Sequence, residues 1–376
     1  MLWGRSLNYI LWCMIVLRRV VSIPWCFEEL LTITQACDNK AIMYASLQGG
    51  GSGLGSEFNH FLVYSLINAA MVNKRLVYFA SQRKWEYDCP QKNGWGCYFE
   101  FPCNLPNGAN HNELDFTDER SSMHDRDHSY REYPDIFDKI KSMYDQIKSA
   151  KNGECKHMEK DQQTILTSIA AKHLYKLNPI VRQFVNRFND HYAISGGEYL
   201  ALQIRAQDKR YEMSAEMWEY ITNVRNIYNE ISPYLYGSPT VFPGTTGYKM
   251  LFVSTDNCTM LAELGKLAPP DIVIMSPCHK HLHPSVINLQ NDGEKHNSSS
   301  LVGDFNPRLG DYKSTLRLFA EIEMLAGGTH FFGIMNSNLV RMVHRLRYPD
   351  KQSTTHGLAY NFTSSDFRCR YDTLEY

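Results

Sequence analysis

The sequence predicts an α/β protein of two domains, each built on a parallel sheet, facing one another across a ligand cleft. Near-continuous apolar runs, amphipathic stretches between them, and a repeat of the same plan in the second half predict it. Length agrees, because 376 residues with 43% hydrophobic content can fill two cores and exceed one comfortable domain. A domain boundary is expected near residue 195.

The first 36 residues read as a signal peptide or short signal anchor with a stem. The apolar run "LNYILWCMIVL" at 7–17 follows Arg5 but is shorter than the ~20 residues that span a bilayer, and Arg18 and Arg19 after it oppose a simple type II orientation. Residues 37–195 read as the first domain. "AIMYASL" at 41–47 reads as a buried strand, "GGGSGLG" at 49–55 as a loop, Phe58 to Val72 as a helix and "RLVYF" at 75–79 as a second strand. The polar stretch 110–134 has no apolar period and reads as an exposed loop, and helices are expected over 136–149 and, with interruptions, 161–188. Residues 196–350 read as the second domain. Its strands are "YLALQI" at 199–204, "KMLFVST" at 249–255 and "DIVIMS" at 271–276; a helix from Ser314 to Ala326 ends at Gly327 and Gly328, before "HFFGIM" and a helix opening near Asn336. Residues 351–376 form a tail.

Lys plus Arg number 39 against 40 for Asp plus Glu, so no basic footprint for nucleic acid exists and an anionic ligand must meet a local basic site. Ten cysteines without any CxxC spacing, three of them (Cys89, Cys97, Cys103) bunched in one aromatic loop, favour disulfides over zinc. Sequons at Asn257, Asn297 and Asn361 agree with a secretory compartment, although Asn257 falls at a strand end and makes a poor glycan site.

Two motifs read weakly. Gly51, Gly53 and Gly55 give G-x-G-x-G, and no acidic residue ends the next strand, which disfavours a dinucleotide fold; a glycine loop before a helix still lets backbone N–H groups approach a diphosphate or sugar. Asp125 and Asp127 form a DxD without the apolar strand that would aim both carboxylates at a metal, and they read as a solvated loop, as do His279, His281 and His283. No metal or cofactor is expected.

The stretch "LALQIRAQDKRYEM" at 200–213 carries more. Arg205 falls at the carboxyl end of a buried strand, where open α/β sheets bind ligands, and its planar fork can clamp a diphosphate and neutralise leaving-group charge. Gln203 shares its face by alternation, and Glu212, near Lys209, can accept a proton from a hydroxyl.

Over roughly residues 40–347 the chain resembles the α-1,6-fucosyltransferase family, which modifies N-glycans or chitin oligosaccharides. "GSGLGSEFNHF" resembles its glycine loop and helix, "SQRKWEY" followed by "GW" its next strand and aromatic loop, and "LYKLNP" the segment before its second domain. "QIRAQDK" stands where the family has His-Val-Arg-Arg-Thr-Asp-Lys, "VSTDN" matches its Ala-Thr-Asp-Asp strand end, and "LRLFAEIEMLAGGTHFFGIMNSNLVRMV" follows its last helix-strand-helix unit.

The resemblance implies a GT-B-like fold and metal-independent, inverting transfer of fucose from GDP-fucose to a glycan hydroxyl. Carried over by position, it implies that Arg205 binds the pyrophosphate, Ser337 the β-phosphate and Glu321 guanine N1 and N2, while Gly53, Gly55, Tyr87, Gln203 and Asp256 line the donor. It places Glu212 near the general base and Lys209 beside it, with Asp208 as a further candidate base. It also implies an oligosaccharide or N-glycan acceptor and a Golgi or other secretory-pathway location. Departures are plain: Gln203 replaces a histidine, Ala206 the second arginine, Asn257 the second aspartate and Gly50 an acceptor-binding lysine. The residues after Arg347 are too few for the SH3 domain of the animal enzymes, so a stripped catalytic core is expected. A catalytically impaired glycan-binding relative and a protein O-fucosyltransferase are the alternatives.

Overall fold

The computed structural model describes residues 27–37, 42–46, 54–71, 73–79, 94–100, 162–191, 198–206, 213–237, 247–277, 286–288, 312–335, 337–348, 350–351 and 354–358. They fall into two compact units that interleave along the chain: Met1–Leu47, His60–Phe79 and Glu100–Lys176 make the first, and Gln48–Asn59, Ala80–Phe99 and Leu177–Tyr376 the second. Among the described residues no helix is long and apolar enough to cross a membrane; the run at 7–17 and the helix expected over 136–149 lie outside them.

In the first unit, helix α1 (27–34) buries Phe27, Leu30 and Leu31 at the spacing that puts them on one face. Strand β1 (Ile42–Ser46) pairs in parallel with β2 (Arg75–Phe79), from Ile42 opposite Arg75 to Ser46 opposite Phe79. Between them runs one helical stretch. It begins as α2 (Leu54–Glu57), widens to a π turn over Phe58–Leu62 and continues as α3 (Val63–Met71). The expected helix from Phe58 thus starts four residues earlier, directly out of the glycine loop, and its wide turn falls where the chain passes from the second unit to the first. α3 packs on both strands and on α4 (Gln162–Leu174). Gln35 ties α1 to β2 by donating to the Lys74 carbonyl at 3.1 Å and accepting from the Leu76 amide at 2.8 Å.

The second unit contains α5 (Pro179–His191), β3 (Leu200–Ile204), α6 (Ala215–Thr222), α7 (Val224–Tyr236), β4 (Met250–Thr255), α8 (Cys258–Leu267), β5 (Val273–Ser276), β6 (Val286–Asn288), α9 (Tyr312–Gly327), β7 (His330–Gly333), α10 (Asn338–Arg347) and β8 (Thr355–Gly357). Six strands form one sheet in the order β6-β5-β4-β3-β7-β8, every pairing parallel. β6 and β8 are edge strands of three residues, too short to leave a periodic signal in the sequence.

β3 is covered on both faces. Leu200, Leu202 and Ile204 point with Leu251, Val253, Ile274 and Phe332 into a core completed by Met217, Ile221, Ile227, Ile231 and Leu264 from α6, α7 and α8. Each such side chain stabilises the fold by ~1.5–3 kcal/mol when fully buried. Ala201 and Gln203 point the other way, where α9 packs on β3 and β4. Gly333 lies in register with Gln203 and admits α10, since a Cβ there would meet Val340 Cγ2 at 2.8 Å.

α6 opens on Ser214, whose side chain accepts from Met217 N, and Asn223 both ends α6 and caps α7 by accepting from Arg225 N. α7 closes on Gly237 in the left-handed region, φ 67°.

At the far edge, Arg347 is a buried cation held by carbonyls and hydroxyls. It donates to Ala326 O at 3.0 Å, Gly328 O at 2.5 Å, Thr329 O at 3.2 Å and Thr354 O at 3.0 Å, and to the Thr354 and Thr355 hydroxyls at 2.8 and 2.9 Å. Its charge sits at the carboxyl end of α9, where the helix dipole is negative. Burial pulls it down to about 10. Beside it, His330 Nδ1 and His356 Nε2 lie 2.9 Å apart under the Tyr234 ring, and burial pushes both imidazoles down to about 4. Arg347→Met is expected to cost on the order of 3 kcal/mol, because several buried acceptors lose their donor together. Urea unfolding that gives a lower midpoint with an unchanged m-value checks this.

Candidate functional site

The strand order places a topological switch point between β3 and β7: from β3 the chain runs outward through β4, β5 and β6 on one side, then returns to β7 and β8 on the other. Strand carboxyl ends beside such a point are where open α/β sheets hold ligands. Five of the expected donor-site residues, Gln203, Arg205, Asp256, Glu321 and Ser337, belong to this region or to the helices over it.

Gln203, the fourth residue of β3, is fully buried, and neither its amide nitrogen nor its amide oxygen has a hydrogen-bond partner. Its register partner on β4 is Ser254. Parallel register puts both side chains on the face that α9 covers. Ser254 donates to Glu321 Oε2 at 2.6 Å, and Glu321 Oε1 is buried without a partner. Burial pushes the Glu321 carboxyl up to about 7, against the Ser254 hydrogen bond and the Arg317 charge, which pull it down.

Ser337 occupies the N-cap position of α10. Unlike Ser214, Asn223 and Asn257, its side chain makes no capping bond; its hydroxyl is fully buried and has no partner. An unfilled hydroxyl with the first N–H groups of a ten-residue helix offers donors to an anion.

Arg205 follows β3 directly and is half-buried. The chain on its far side is held by Asp256, one residue past β4, whose Oδ1 accepts from Ala206 N at 2.7 Å. The Asp256 carboxylate therefore fixes the path on which Arg205 leaves the strand. Asn257 caps α8, accepting from Thr259 N at 3.2 Å and from the Thr259 hydroxyl at 2.6 Å, so the sequon asparagine and its threonine bond each other.

The glycine-loop helix reaches the same helix terminus. A Cβ on Gly55 would lie 3.2 Å from the Asn338 carbonyl and from Leu339 N, a spacing tight enough that glycine suits the approach of α2 to the first turn of α10. Asn59, in the π turn, donates to Asn338 O at 2.6 Å, while Arg345 donates to Asn59 O at 3.1 Å and Asn59 Oδ1 at 2.8 Å. Phe58 packs with Trp95 and Phe99, and Phe99 meets Phe319 of α9 edge-on at 5.2 Å. This aromatic cluster seats α9, and so Glu321, against the glycine-loop helix.

Gly53, Tyr87, Asp208, Lys209 and Glu212 lie outside the described residues, as do Asp125, Asp127, His279, His281 and His283. Among the described residues no group of three or more His, Cys, Asp or Glu could hold a metal ion. Cys37, Cys97 and Cys258 are disulfide-bonded. Sequence reasoning missed Ser254, Asn59 and Arg345; the only signal for Ser254 and Asn59 is a polar residue inside an otherwise apolar strand or helix, and Arg345 carries none, since its helix also holds Arg341, His344 and Arg347.

No protein-family model matches the chain, and no curated protein matches it. Solved structures resemble it at low identity. Arabidopsis thaliana FUT1, as an arginine-to-lysine mutant in complex with GDP, is 12% identical over 85% of this chain and 72% of that chain, with a TM-score of 0.44. POFUT1 in complex with GDP is 12% identical over 85% of this chain and 99% of that chain, with a TM-score of 0.37. The fold class rests on the parallel sheets themselves.

Glu321 ties the site to pH. Its carboxyl keeps a proton in the folded chain that the unfolded chain releases above about pH 4.5, so this group's contribution to stability falls as pH rises from there to about 7 and is constant above. Glu321→Gln removes that dependence. Relative to the parent, the variant is expected to gain on the order of 3 kcal/mol between the ends of that window. Urea unfolding of both proteins across it checks the sign and the plateau.

Proposed function

We propose that this protein is a GT-B-like glycosyltransferase that moves fucose from GDP-fucose to a glycan hydroxyl, in α-1,6 linkage to a GlcNAc, by metal-independent inverting displacement in the Golgi or another secretory compartment. One observation carries the donor site: Gln203, Glu321 Oε1 and Ser337 Oγ are buried polar groups without partners, gathered on β3 and on the helices flanking the β3/β7 switch point. A folded protein rarely leaves such groups unmatched unless a ligand completes them.

Each has a matching part of a guanosine diphosphate sugar. Glu321 Oε1 accepts from the adjacent N1–H and N2–H donors of guanine, and Gln203 contributes one donor and one acceptor. Ser337 and the α10 N-terminus donate to the β-phosphate, and Arg205 engages the diphosphate as charge develops on the leaving group. In this reading Glu212 accepts the proton of the acceptor hydroxyl, with Lys209 beside it and Asp208 as the reserve base. Gly53, Gly55 and Tyr87 belong to the donor site in the same reading. The acceptor is an N-glycan or chitin oligosaccharide, and the apolar run at 7–17 serves as a cleaved signal or short anchor.

Arg205→Ala is expected to lower kcat by on the order of 10² to 10³, as loss of a comparable oxyanion donor does, and Arg205→Lys to recover little because an ammonium cannot engage two phosphate oxygens. Glu212→Gln is expected to slow transfer while leaving GDP affinity nearly intact. Turnover of GDP-fucose on N-glycan, chitin-oligosaccharide and folded-protein acceptors, each with and without EDTA, checks the reaction and its acceptor together. Loss of activity in EDTA with recovery in manganese overturns the metal-independent mechanism. Calorimetry is expected to show GDP bound at least ten times more tightly than UDP, since uracil offers one ring N–H where guanine offers two adjacent donors; equal affinities overturn the assignment of Glu321.

A further inference from the structure

Glu321 has two oxygens with unequal surroundings. Oε2 accepts from the Ser254 hydroxyl at 2.6 Å, whereas Oε1 is buried without a partner. Ser254 and Glu321 are both fully closed from water, so no solvent competes for the bond. Ser254 stands on β4 opposite Gln203 of β3, on the sheet face that α9 covers. The backbone of β4 is held in register on both sides, by β3 and β5, which leaves the Ser254 hydroxyl a fixed donor.

We propose that Ser254 is the positioning residue for base recognition: its hydroxyl holds Glu321 Oε2 so that Oε1 is turned to accept from the base, and it favours the ionised carboxylate that this acceptance requires. The proposal rests on the GDP reading of the same site. Without the Ser254 bond the carboxylate can rotate, and its neutral form places an O–H where the guanine N–H donors must arrive.

The charge around Glu321 leaves this as the local control. Arg182 from α5 faces Glu323 at 3.2 Å. On α10, Arg341 donates to Met335 O and Asn338 Oδ1, Arg345 to Asn59, Arg347 to the carbonyls at the end of α9, and burial holds His344 down to about 4. Arg205 and Asp256 stand beyond the ends of β3 and β4, with Asp256 bonded to Ala206 N. The charge that reaches Glu321 is that of Arg317, one turn earlier on α9, and its effect is smaller than that of the Ser254 bond.

The test is GDP binding to the full-length protein by calorimetry from pH 6 to pH 9, for the parent, Ser254→Ala, Ser254→Thr, Glu321→Gln and the double variant Ser254→Ala/Glu321→Gln. In the parent, affinity is expected to fall about tenfold per pH unit below the Glu321 midpoint, since the base needs the ionised carboxylate. Loss of the serine bond raises that midpoint, so Ser254→Ala is expected to bind GDP about tenfold more weakly at pH 7 and to approach the parent at pH 9. Ser254→Thr, which keeps a hydroxyl, restores the parent profile. In the double variant the serine change adds nothing to the loss already caused by Glu321→Gln, because Ser254 acts through that carboxylate.

A Ser254→Ala profile with the parent midpoint, or a loss that is the same at every pH and persists in the double variant, overturns the positioning role while leaving the donor assignment standing. A parent that does not bind GDP overturns both. Circular dichroism and urea unfolding of each variant at pH 7, unchanged from the parent for Ser254→Ala, separate recognition from folding.

Discussion

β3 lies between β4 and β7 with helices on both faces, and every one of its residues is closed off from water. A strand in that position admits polar side chains only at a cost of a few kcal/mol each unless something bonds them. Gln203 is the single polar residue within β3, and it lies toward the carboxyl end, where the flanking chain departs and the sheet can open to a ligand. The rest of the second unit follows from the same burial. α6, α7 and α8 close one face, α9 and α10 the other, and three of the unmatched buried polar groups collect at the switch point.

The matched groups show how this protein satisfies much of its buried polarity elsewhere, although atoms such as Ser168 Oγ and Asn189 Oδ1 also lack a partner. Arg347 finds carbonyl and hydroxyl acceptors at the junction of α9, β7 and β8, and Arg345 and Asn59 bond one another across the α2 and α10 contact. Asp256 takes the Ala206 amide. Against that background the unmatched Gln203, Glu321 Oε1 and Ser337 Oγ stand out as a set, because they share one region and one chemistry. Glu321 adds an electrostatic cost. A carboxyl kept from water and bonded by one serine is held near neutrality, which trades unliganded stability for a strong acceptor when donors arrive.

Support for this region comes from residues that are not adjacent in sequence. Gly55, the last glycine of the loop, and Asn59 after it meet Asn338 and Arg345 at the other end of the chain. Phe58, Trp95 with Phe99, and Phe319 join three separate segments into one aromatic contact. The helix that carries Glu321 is therefore seated by the glycine-loop segment, and a change in either is transmitted through packing.

The sequence by itself determined the parallel strands, read at 199–204, 249–255 and 271–276, because a strand covered on both faces must be apolar on both and so announces itself without alternation. It likewise determined Arg205 as the first charge after β3, the end of α9 at Gly327 and a last helix opening near Asn336, two residues before α10 begins. Three-residue edge strands such as β8 carry too few residues for a period, and the early start of the 54–71 helix was hidden by Gly55, which lowers helix propensity while allowing the close approach to α10. Only the tertiary structure decided that Ser254 bonds Glu321, that Asp256 anchors the path of Arg205 and that Arg347 caps a helix other than its own. Those are bonds between residues far apart in the chain, and a hydrogen bond is set by distance and angle in space, which local residue pattern does not encode.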